Sequence, residues 1–128
     1  MNTLFIVDDH SIVRTGLKEW LETNTKWKVT QLFADGQSCL DFLSRISSGE
    51  HYANEKPDII IDVQLINETG FTLAQTISQN YPDIKIVIYS MYDTNGFILQ
   101  AKDCGASGYI SKVAPESEMA KCLEVVQA

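Results

Sequence analysis

The sequence has 128 residues, 45% of them hydrophobic, which suits a single domain over residues 1–128 with one core. Ten basic residues against seventeen acidic ones give a formal net charge of −7, which argues against unaided binding to anionic nucleic acid. No apolar stretch reaches the roughly 20 residues of a membrane-spanning helix and the N-terminus lacks a signal-peptide pattern, so we expect cytoplasmic residence without membrane contact.

Short apolar runs alternate along the chain with segments whose apolar residues recur at helical spacing. The runs predict five strands, at Thr3–Asp8, Lys28–Phe33, Asp58–Asp62, Lys85–Ser90 and Gly108–Ser111. The helical stripes between them are Val13, Leu17, Trp20 and Leu21; Cys39, Phe42, Leu43 and Ile46; Leu73, Ala74, Ile77 and Tyr81; Phe97, Ile98 and Ala101; and Met119, Cys122, Leu123 and Val126. This alternation predicts an α/β fold: a five-stranded parallel sheet in the flavodoxin-like order 2-1-3-4-5, in a three-layer sandwich.

Residues typical of helix ends support these boundaries. We expect Asp35 and Asp93 to cap the second and fourth helices, Gly105 to end the fourth, and Pro115 to open the fifth. The polar, aperiodic stretch 47–56 predicts a long surface loop and no domain boundary. The three cysteines are widely spaced and form no C-x-x-C pair, so they predict small buried side chains and neither a disulfide framework nor a zinc site.

Polar and charged side chains stand at the ends of four predicted strands. Asp8 and Asp9 come at the end of the first, Asp62 closes the third, Ser90 ends the fourth and Lys112 follows the fifth. The carboxyl ends of parallel strands share one edge of the sheet, so we expect these groups to meet. Three adjacent carboxylates repel one another, and a hard cation such as Mg²⁺ relieves that repulsion through oxygen ligands. The sequence therefore predicts a metal-assisted phosphate site.

The predicted site suits phosphoryl transfer. A carboxylate such as Asp62 can attack phosphorus to give an acyl phosphate. Asp9, Asp62 and the backbone carbonyl of Gln64 are the expected direct ligands of Mg²⁺, with Asp8 holding a coordinated water. Lys112 would place its ammonium on the phosphoryl oxygens.

Several segments, taken together and in this order, resemble the receiver domains of two-component response regulators. They are Val7-Asp8-Asp9-His10, Pro57 to Asp62, Gly70, Val87 to Ser90, and Gly105 to Lys112. The first helix, with His10, Arg14, Gly16 and Leu17, is similar to the NarL/LuxR-type subgroup, whose receivers commonly precede a helix-turn-helix DNA-binding domain.

The resemblance implies a CheY-like fold and a role for each residue. Asp62 would be the phosphoacceptor, with Lys112 and Ser90 as the phosphate-sensing pair, and Asp8 and Asp9 would be the metal acids. A sensor histidine kinase would donate the phosphoryl group. Ser90 would then move toward the phosphate and a switch aromatic, at position 109, would rotate inward. A homodimer on phosphorylation is an option, and direct nucleic-acid binding by this chain is not expected.

The chain departs from the family pattern at a few positions. Ile66 and Val113 stand where the family commonly has proline, which concerns loop geometry but not the reacting groups. Gln64 and Tyr92 lie two residues beyond Asp62 and Ser90, and their bulk suggests slowed hydrolysis of the acyl phosphate.

Single residues also have simpler interpretations. Asp9 could serve only as a helix cap, and Ser90 could bond only to nearby backbone. Lys112 could be a plain surface residue, and Tyr109 could pack at the margin of the core. His10 follows the acids, but Mg²⁺ prefers oxygen, so we expect this histidine on the solvated first turn and not as a ligand.

Three alternatives to a phosphoaccepting receiver are a phosphatase, a flavin-binding electron carrier and a receiver that has lost its chemistry. A haloacid-dehalogenase-like phosphatase also uses an aspartate nucleophile and Mg²⁺, but it carries a second aspartate two residues later, where this chain has Gln64. A flavin-binding electron carrier expects a glycine- and hydroxyl-rich phosphate loop, whereas Asp8 and Asp9 would repel the flavin phosphate. A degenerate receiver that only binds proteins would not need the acids and the lysine. The sequence therefore favours a signalling phosphoacceptor over an enzyme, either free-standing or cut from a longer regulator.

Overall fold

The computed structural model describes residues 2–47, 57–65, 68–91 and 95–127, and in these ranges strands and helices alternate. The strands are β1 (Thr3–Val7), β2 (Lys28–Phe33), β3 (Asp58–Asp62), β4 (Ile86–Ser90) and β5 (Gly108–Ser111). The helices are α1 (Ser11–Asn24), α2 (Gly36–Ser47), α3 (Gly70–Asn80), α4 (Asn95–Asp103) and α5 (Glu116–Gln127). All strand pairs are parallel in the order β2-β1-β3-β4-β5, which confirms the predicted flavodoxin-like sheet.

The predicted strand limits agree with the structure to within one residue. The first strand ends at Val7 and not at Asp8, and the fourth begins at Ile86 and not at Lys85. The backbone N–H of Asp8 still donates to the carbonyl of Phe33 at 3.0 Å, so the chain leaves the sheet only after that contact. The carboxylate of Asp8 therefore stands just beyond the end of the strand.

The sheet is covered on both faces, which explains why its central strands are continuous apolar runs. Every residue of β3 is buried. Ile59 and Ile61 pack into a cluster with side chains of α2, α3 and α4, while Ile60 packs into a second cluster with side chains of α1 and α5. Successive strand residues point to opposite faces, so an unbroken isoleucine run supplies both cores.

Helical periodicity identified the buried faces, although several stripe residues are only half-buried and one is exposed. The stripes of α2 and α3 are buried as predicted, apart from the half-buried Tyr81. Ile98 in α4 was expected in the core, and that prediction is wrong, because its exposed fraction is 38%. Phe97 and Ala101 contact the core one turn apart, so Ile98 lies beside the contact line of this short helix.

The helix-end signals are largely confirmed. Asp35 accepts a hydrogen bond from the backbone N–H of Ser38 at 2.8 Å. Gly105 follows α4 with φ +91°, and the next residue, Ala106, donates its N–H to the carbonyl of Ala101 at 3.0 Å, which closes the helix end. Pro115 directly precedes α5 as expected.

Two of the boundary predictions lie outside the described residues: the cap at Asp93 and the loop between positions 48 and 56. Cys39 and Cys104 are buried as predicted, and Cys122 is half-buried. Within the described ranges, no helix is both long enough and apolar enough to cross a membrane.

Candidate functional site

Two buried carboxylates lie side by side at the carboxyl edge of the sheet. Asp8 follows β1 and Asp62 ends β3, and these strands are neighbours whose register pairs Val7 with Ile61. The exposed fractions are 1% for Asp8 and 2% for Asp62. The adjacent Asp9 retains a side chain that is 17% exposed. The expected convergence of the three acids is therefore present in the structure.

Lys112 brings a positive charge to these acids from the end of β5, which β4 separates from β3 in the sheet. Its backbone N–H donates to the carbonyl of Ser90 at 2.7 Å, which fixes the chain as it leaves β5. Its Nζ lies 3.1 Å from Oδ2 of Asp62 and 3.4 Å from Oδ2 of Asp8. The same ammonium lies 5.3 Å from the centre of the Tyr89 ring, a cation–π contact. One cation thus contacts both buried carboxylates.

Burial and neighbouring charges together shift the pKa values of Asp62 and Lys112. Burial raises the pKa of Asp62, and the neighbouring charge of Asp8 raises it further, while Lys112 and the backbone N–H of Gln64 oppose the rise. That N–H donates to Oδ1 of Asp62 at 3.2 Å. Burial would lower the pKa of Lys112, but Asp8 and Asp62 together outweigh it and raise that pKa above its ordinary value. Lys112 therefore remains an ammonium at neutral pH.

His10 is the contact that sequence reasoning missed. It lies at the N-cap of α1 with a side chain 60% exposed, as expected for a solvated first turn. Its Nδ1, however, lies 3.1 Å from Oδ1 of Asp8 and 3.0 Å from Oδ1 of Asp9. Its backbone N–H also donates to Oδ1 of Asp8 at 2.8 Å. The direction of an exposed ring depends on the turn after β1, and no sequence period reports that direction.

Two further residues hold the main chain around the acids. The Arg14 guanidinium donates to the backbone carbonyl of Asp8. Gly70, at the start of α3, donates its N–H to the carbonyl of Val63 at 2.7 Å. A Cβ at Gly70 would overlap the carbonyl oxygen of Asp62 and lie 2.8 Å from its carbonyl carbon. Only a residue without a side chain permits this approach, which explains why this position holds glycine.

Among the other predicted site residues, Ser90 lies in β4 and Tyr109 in β5, whereas Tyr92 lies outside the described residues. Ser90 ends β4 with an exposed fraction of 1%, and the register pairs it with Ser111. Tyr109, in β5, packs against the core beside α3 and α4. Its hydroxyl is buried and has no hydrogen-bond partner within the part of the chain that the structure describes. Tyr92 lies outside that part.

The acid cluster is suited to a divalent cation. One potential ligand atom from each of Asp8, Asp9, His10 and Asp62 can be chosen so that all four lie within 4.8 Å of one another. Oδ1 of Asp9 lies 3.0 Å from Nδ1 of His10, and Oδ2 of Asp62 lies 3.1 Å from Nζ of Lys112. Carboxylate oxygens are ligands that Mg²⁺ prefers.

The chain matches a known protein family. The family model for the response regulator receiver domain matches residues 4–124. The oxygen regulatory protein NreC of Staphylococcus haemolyticus is 32% identical over 128 residues, which covers 96% of this chain and 54% of that protein. The transcriptional regulatory protein DegU of Brevibacillus brevis is 25% identical over 96% of this chain and 49% of its own length. The chain thus spans about half the length of these curated relatives.

Solved structures show the same fold. A two-component response regulator of the LuxR family from an Aurantimonas species superposes with a TM-score of 0.83 at 27% identity, covering 97% of this chain and 83% of that one. The isolated receiver domain of RcsB from Salmonella enterica, determined with a phosphomimetic, superposes with a TM-score of 0.81 at 23% identity, covering 99% of this chain and 89% of that one. The second likeness supports the fold alone.

Proposed function

Because this chain belongs to the response regulator receiver domain family, we propose that it is a phosphoacceptor switch in which Asp62 receives a phosphoryl group from a histidine kinase. Receiver domains are signalling domains and not classical enzymes. One observation carries the proposal: Asp62, only 2% exposed, shares a single ammonium with Asp8. An acid that served only to cap a helix would not need a second buried acid and a lysine beside it.

The transfer exchanges one bond to phosphorus for another. A carboxylate oxygen of Asp62 forms a bond to phosphorus, and the bond from phosphorus to the donor's histidine nitrogen breaks. That nitrogen keeps the electron pair, so the donor returns to a neutral imidazole with a proton taken from solvent. Lys112, already 3.1 Å from Asp62, is placed to neutralise a phosphoryl oxygen.

We propose Mg²⁺ as the cofactor of this reaction. Asp8, Asp9, Asp62 and the backbone carbonyl of Gln64 are the residues that would hold it, directly or through water. When bound, the ion supplies positive charge that offsets the arriving phosphoryl oxygens. The grouping of three carboxylates at one edge of the sheet supports this assignment.

The switch itself is a further part of the proposal. Ser90 would contact the phosphoryl group, and Tyr109 would report the change to the surface formed by α4, β5 and α5. A phosphoryl group adds about −1.5 to −2 charges and three strong acceptors. Driving a population from mostly off to mostly on takes roughly 5 kcal/mol of preference for one state, so several contacts must change together. Gln64 and Tyr92 are proposed to slow hydrolysis of the acyl phosphate.

The output is proposed from the relatives. DegU is named as a transcriptional regulator, and this chain covers 49% of it. We propose a single receiver domain over residues 1–128 that controls transcription through a helix-turn-helix domain elsewhere in a longer protein, with dimer formation on phosphorylation. A free-standing receiver that acts through protein contacts is the alternative. Cytoplasmic residence stays a prediction.

Intact-mass measurement tests the central step. The protein is incubated with a small phosphodonor and Mg²⁺, beside an Asp62→Asn variant. We expect a gain of one phosphoryl group in the wild type and none in the variant. No gain in the wild type, or an equal gain in the variant, would contradict the proposal. Sustained release of phosphate over many turnovers would favour a phosphatase of the haloacid-dehalogenase type.

A further inference from the structure

We propose that Tyr89 is a positioning residue for phosphoryl transfer, because the face of its ring holds the Lys112 ammonium beside Asp62. The inference rests on the proposed function and concerns a residue that acts on the phosphoacceptor only through the lysine. Tyr89 is not one of the clustered acids. It lies on β4, between the strands that lead to Asp62 and to Lys112.

The strand ladder places Tyr89 between the two residues that it connects. Its register partners are Asp62 on β3 and Ile110 on β5. Successive strand residues point to opposite faces, so Lys112, two residues beyond Ile110, returns to the face of Tyr89. The ladder extends that far, because the Lys112 N–H donates to the carbonyl of Ser90 at 2.7 Å. The lysine side chain therefore leaves the sheet beside the tyrosine ring.

The ring and the ammonium make a cation–π contact. Nζ of Lys112 lies 5.3 Å from the centre of the Tyr89 ring, inside the distance of about 6 Å at which a ring face attracts a cation. Burial raises the pKa of Tyr89 above its ordinary 10.0, so the side chain is a neutral phenol and the contact is not an ion pair. The lysine side chain is only 11% exposed, so water takes little part in stabilising its charge.

This contact matters because the ammonium must be in place before the phosphoryl group arrives. A charge that is already positioned needs no reorganisation during the reaction. The Lys112 side chain is a flexible four-carbon chain, and Asp62 and Asp8 attract it at 3.1 and 3.4 Å. The ring adds an attraction that occupies no carboxylate oxygen, so it holds the ammonium without blocking the oxygen of Asp62 that attacks phosphorus.

The side chain of Tyr89 can be changed while its main-chain contacts are kept. The Tyr89 carbonyl accepts a hydrogen bond from the N–H of Val63, the residue after Asp62, at 3.1 Å. The ring itself is half-buried at the last turn of the strand alternation before Ser90. Tyr89→Phe keeps the ring face, whereas Tyr89→Leu removes it and leaves an apolar side chain.

Rates of phosphoryl gain test the inference. Each variant is incubated with acetyl phosphate and Mg²⁺, and its intact mass is followed with time. We expect Tyr89→Phe to react within about twofold of the wild type and Tyr89→Leu to react roughly three to ten times more slowly. Tyr81→Leu is the matched control, because Tyr81 is a half-buried tyrosine at the C-cap of α3. Its rate should stay within about twofold of the wild type.

A fluorinated ring separates electrostatics from shape. Trifluorophenylalanine at position 89 keeps nearly the same shape as phenylalanine, but its fluorine atoms withdraw the negative charge from the ring face. Its rate should therefore fall toward that of Tyr89→Leu. A residue that only filled space would show no such fall.

A resonance measurement tests the contact without any phosphodonor. The ε-methylene protons of Lys112 should lie upfield of those of the exposed Lys121, because the ring current of Tyr89 shields them. Tyr89→Phe should keep this shift and Tyr89→Leu should abolish it. Circular dichroism confirms that each variant is folded, and the fluorinated ring decides the question if Tyr89→Leu does not fold.

Several results would overturn the inference. They are a wild-type rate in Tyr89→Leu, an equal loss in Tyr89→Phe or Tyr81→Leu, no loss on fluorination, and no upfield shift in the wild type. Wild-type protein that gains no phosphoryl group would instead contradict the proposed function. The upfield shift would still show whether the ring holds the ammonium, so the two failures are distinct.

Discussion

The ammonium of Lys112 lies 3.1 Å from Oδ2 of Asp62, and it also contacts Asp8 at 3.4 Å. These residues come from the ends of three different strands, so the pairing depends on the assembled sheet. The lysine is the only cation at ion-pair distance from both buried acids among the residues that the structure describes. Its positive charge therefore offsets the repulsion between the carboxylates of Asp8 and Asp62, which the fold places side by side.

Lys112→Met should destabilise the protein, because it leaves two buried carboxylates without their cation. In chelator, we expect a loss of about 2 kcal/mol in the free energy of unfolding, measured by urea denaturation. Mg²⁺ should restore part of the loss, and acceptance of a phosphoryl group by Asp62 should slow. Lys121→Met is the matched control, since its only recorded partner within the described residues is Glu118 at 3.7 Å on an exposed helix face. A loss of equal size in both variants would contradict this account.

Asp62→Asn should stabilise the metal-free protein at neutral pH. The pKa of Asp62 is raised above its ordinary 3.8, so the folded state binds this proton more tightly than the unfolded state does. Stability from this group is therefore present at low pH and is lost as the pH rises through the raised pKa. Each unit of the rise corresponds to about 1.4 kcal/mol that the amide would recover.

Denaturation in chelator across a pH series measures that gain. The difference between Asp62→Asn and wild type should be largest at neutral pH and should shrink as the pH falls toward 3.8. Added Mg²⁺ should reverse the order by stabilising the wild type more. If the stability gained by Asp62→Asn instead grew as the pH fell, the raised pKa of Asp62 would be contradicted.

Gly70→Ala should disturb the loop that carries Asp62, because a Cβ there would overlap the Asp62 carbonyl. We expect a loss of about 1 to 3 kcal/mol in the free energy of unfolding, together with weaker Mg²⁺ binding. Gly16→Ala is the matched control within α1, where a Cβ would meet nothing within 4 Å. That variant should gain about 0.5 to 1 kcal/mol through helix propensity and leave Mg²⁺ binding unchanged. Equal effects at the two glycines would contradict the role given to Gly70.

Tyr109→Phe should be neutral or stabilising by about 1 kcal/mol, because the buried hydroxyl has no hydrogen-bond partner among the described residues. Tyr109→Ala should instead lose about 2 kcal/mol, since the half-buried ring packs against the core. Urea denaturation distinguishes the two variants. A clear loss in Tyr109→Phe would mean that the hydroxyl makes a contact in solution.

The sequence was sufficient for the sheet and for the meeting of the acids, because both follow from strand periodicity. Asp8 and Asp62 end adjacent strands, so the strand order alone brings them together. The Asp35 cap and the Gly105 helix end were also predictable, since both depend on local backbone chemistry. The roles of Ser90, Tyr109 and Tyr92 stay predictions.

Three other features could be identified only from the three-dimensional structure. Ile98 has the spacing of a core residue, but α4 is short and contacts the core along a narrow line. The contact of His10 with Asp8 and Asp9 depends on a side-chain rotation at a turn. The close approach of Gly70 to Asp62 depends on how α3 returns to the sheet. The contact of His10 and the approach of Gly70 produce no period or charge pattern in the sequence, and the period that includes Ile98 predicts the wrong environment.

The packing of Gly70 against the Asp62 carbonyl also has a consequence for how this chain tolerates mutation. Gly70 has no functional group, yet the nearby Asp62 carbonyl leaves no room for a side chain at this position. Replacement of Gly70 is therefore restricted by steric overlap almost as strictly as replacement of Asp62 is restricted by its chemistry. A saturation library scored for signalling should therefore reject every replacement at Gly70 while accepting most at Gly16. Such a map would rank the glycine beside the acids, although it takes no part in the reaction.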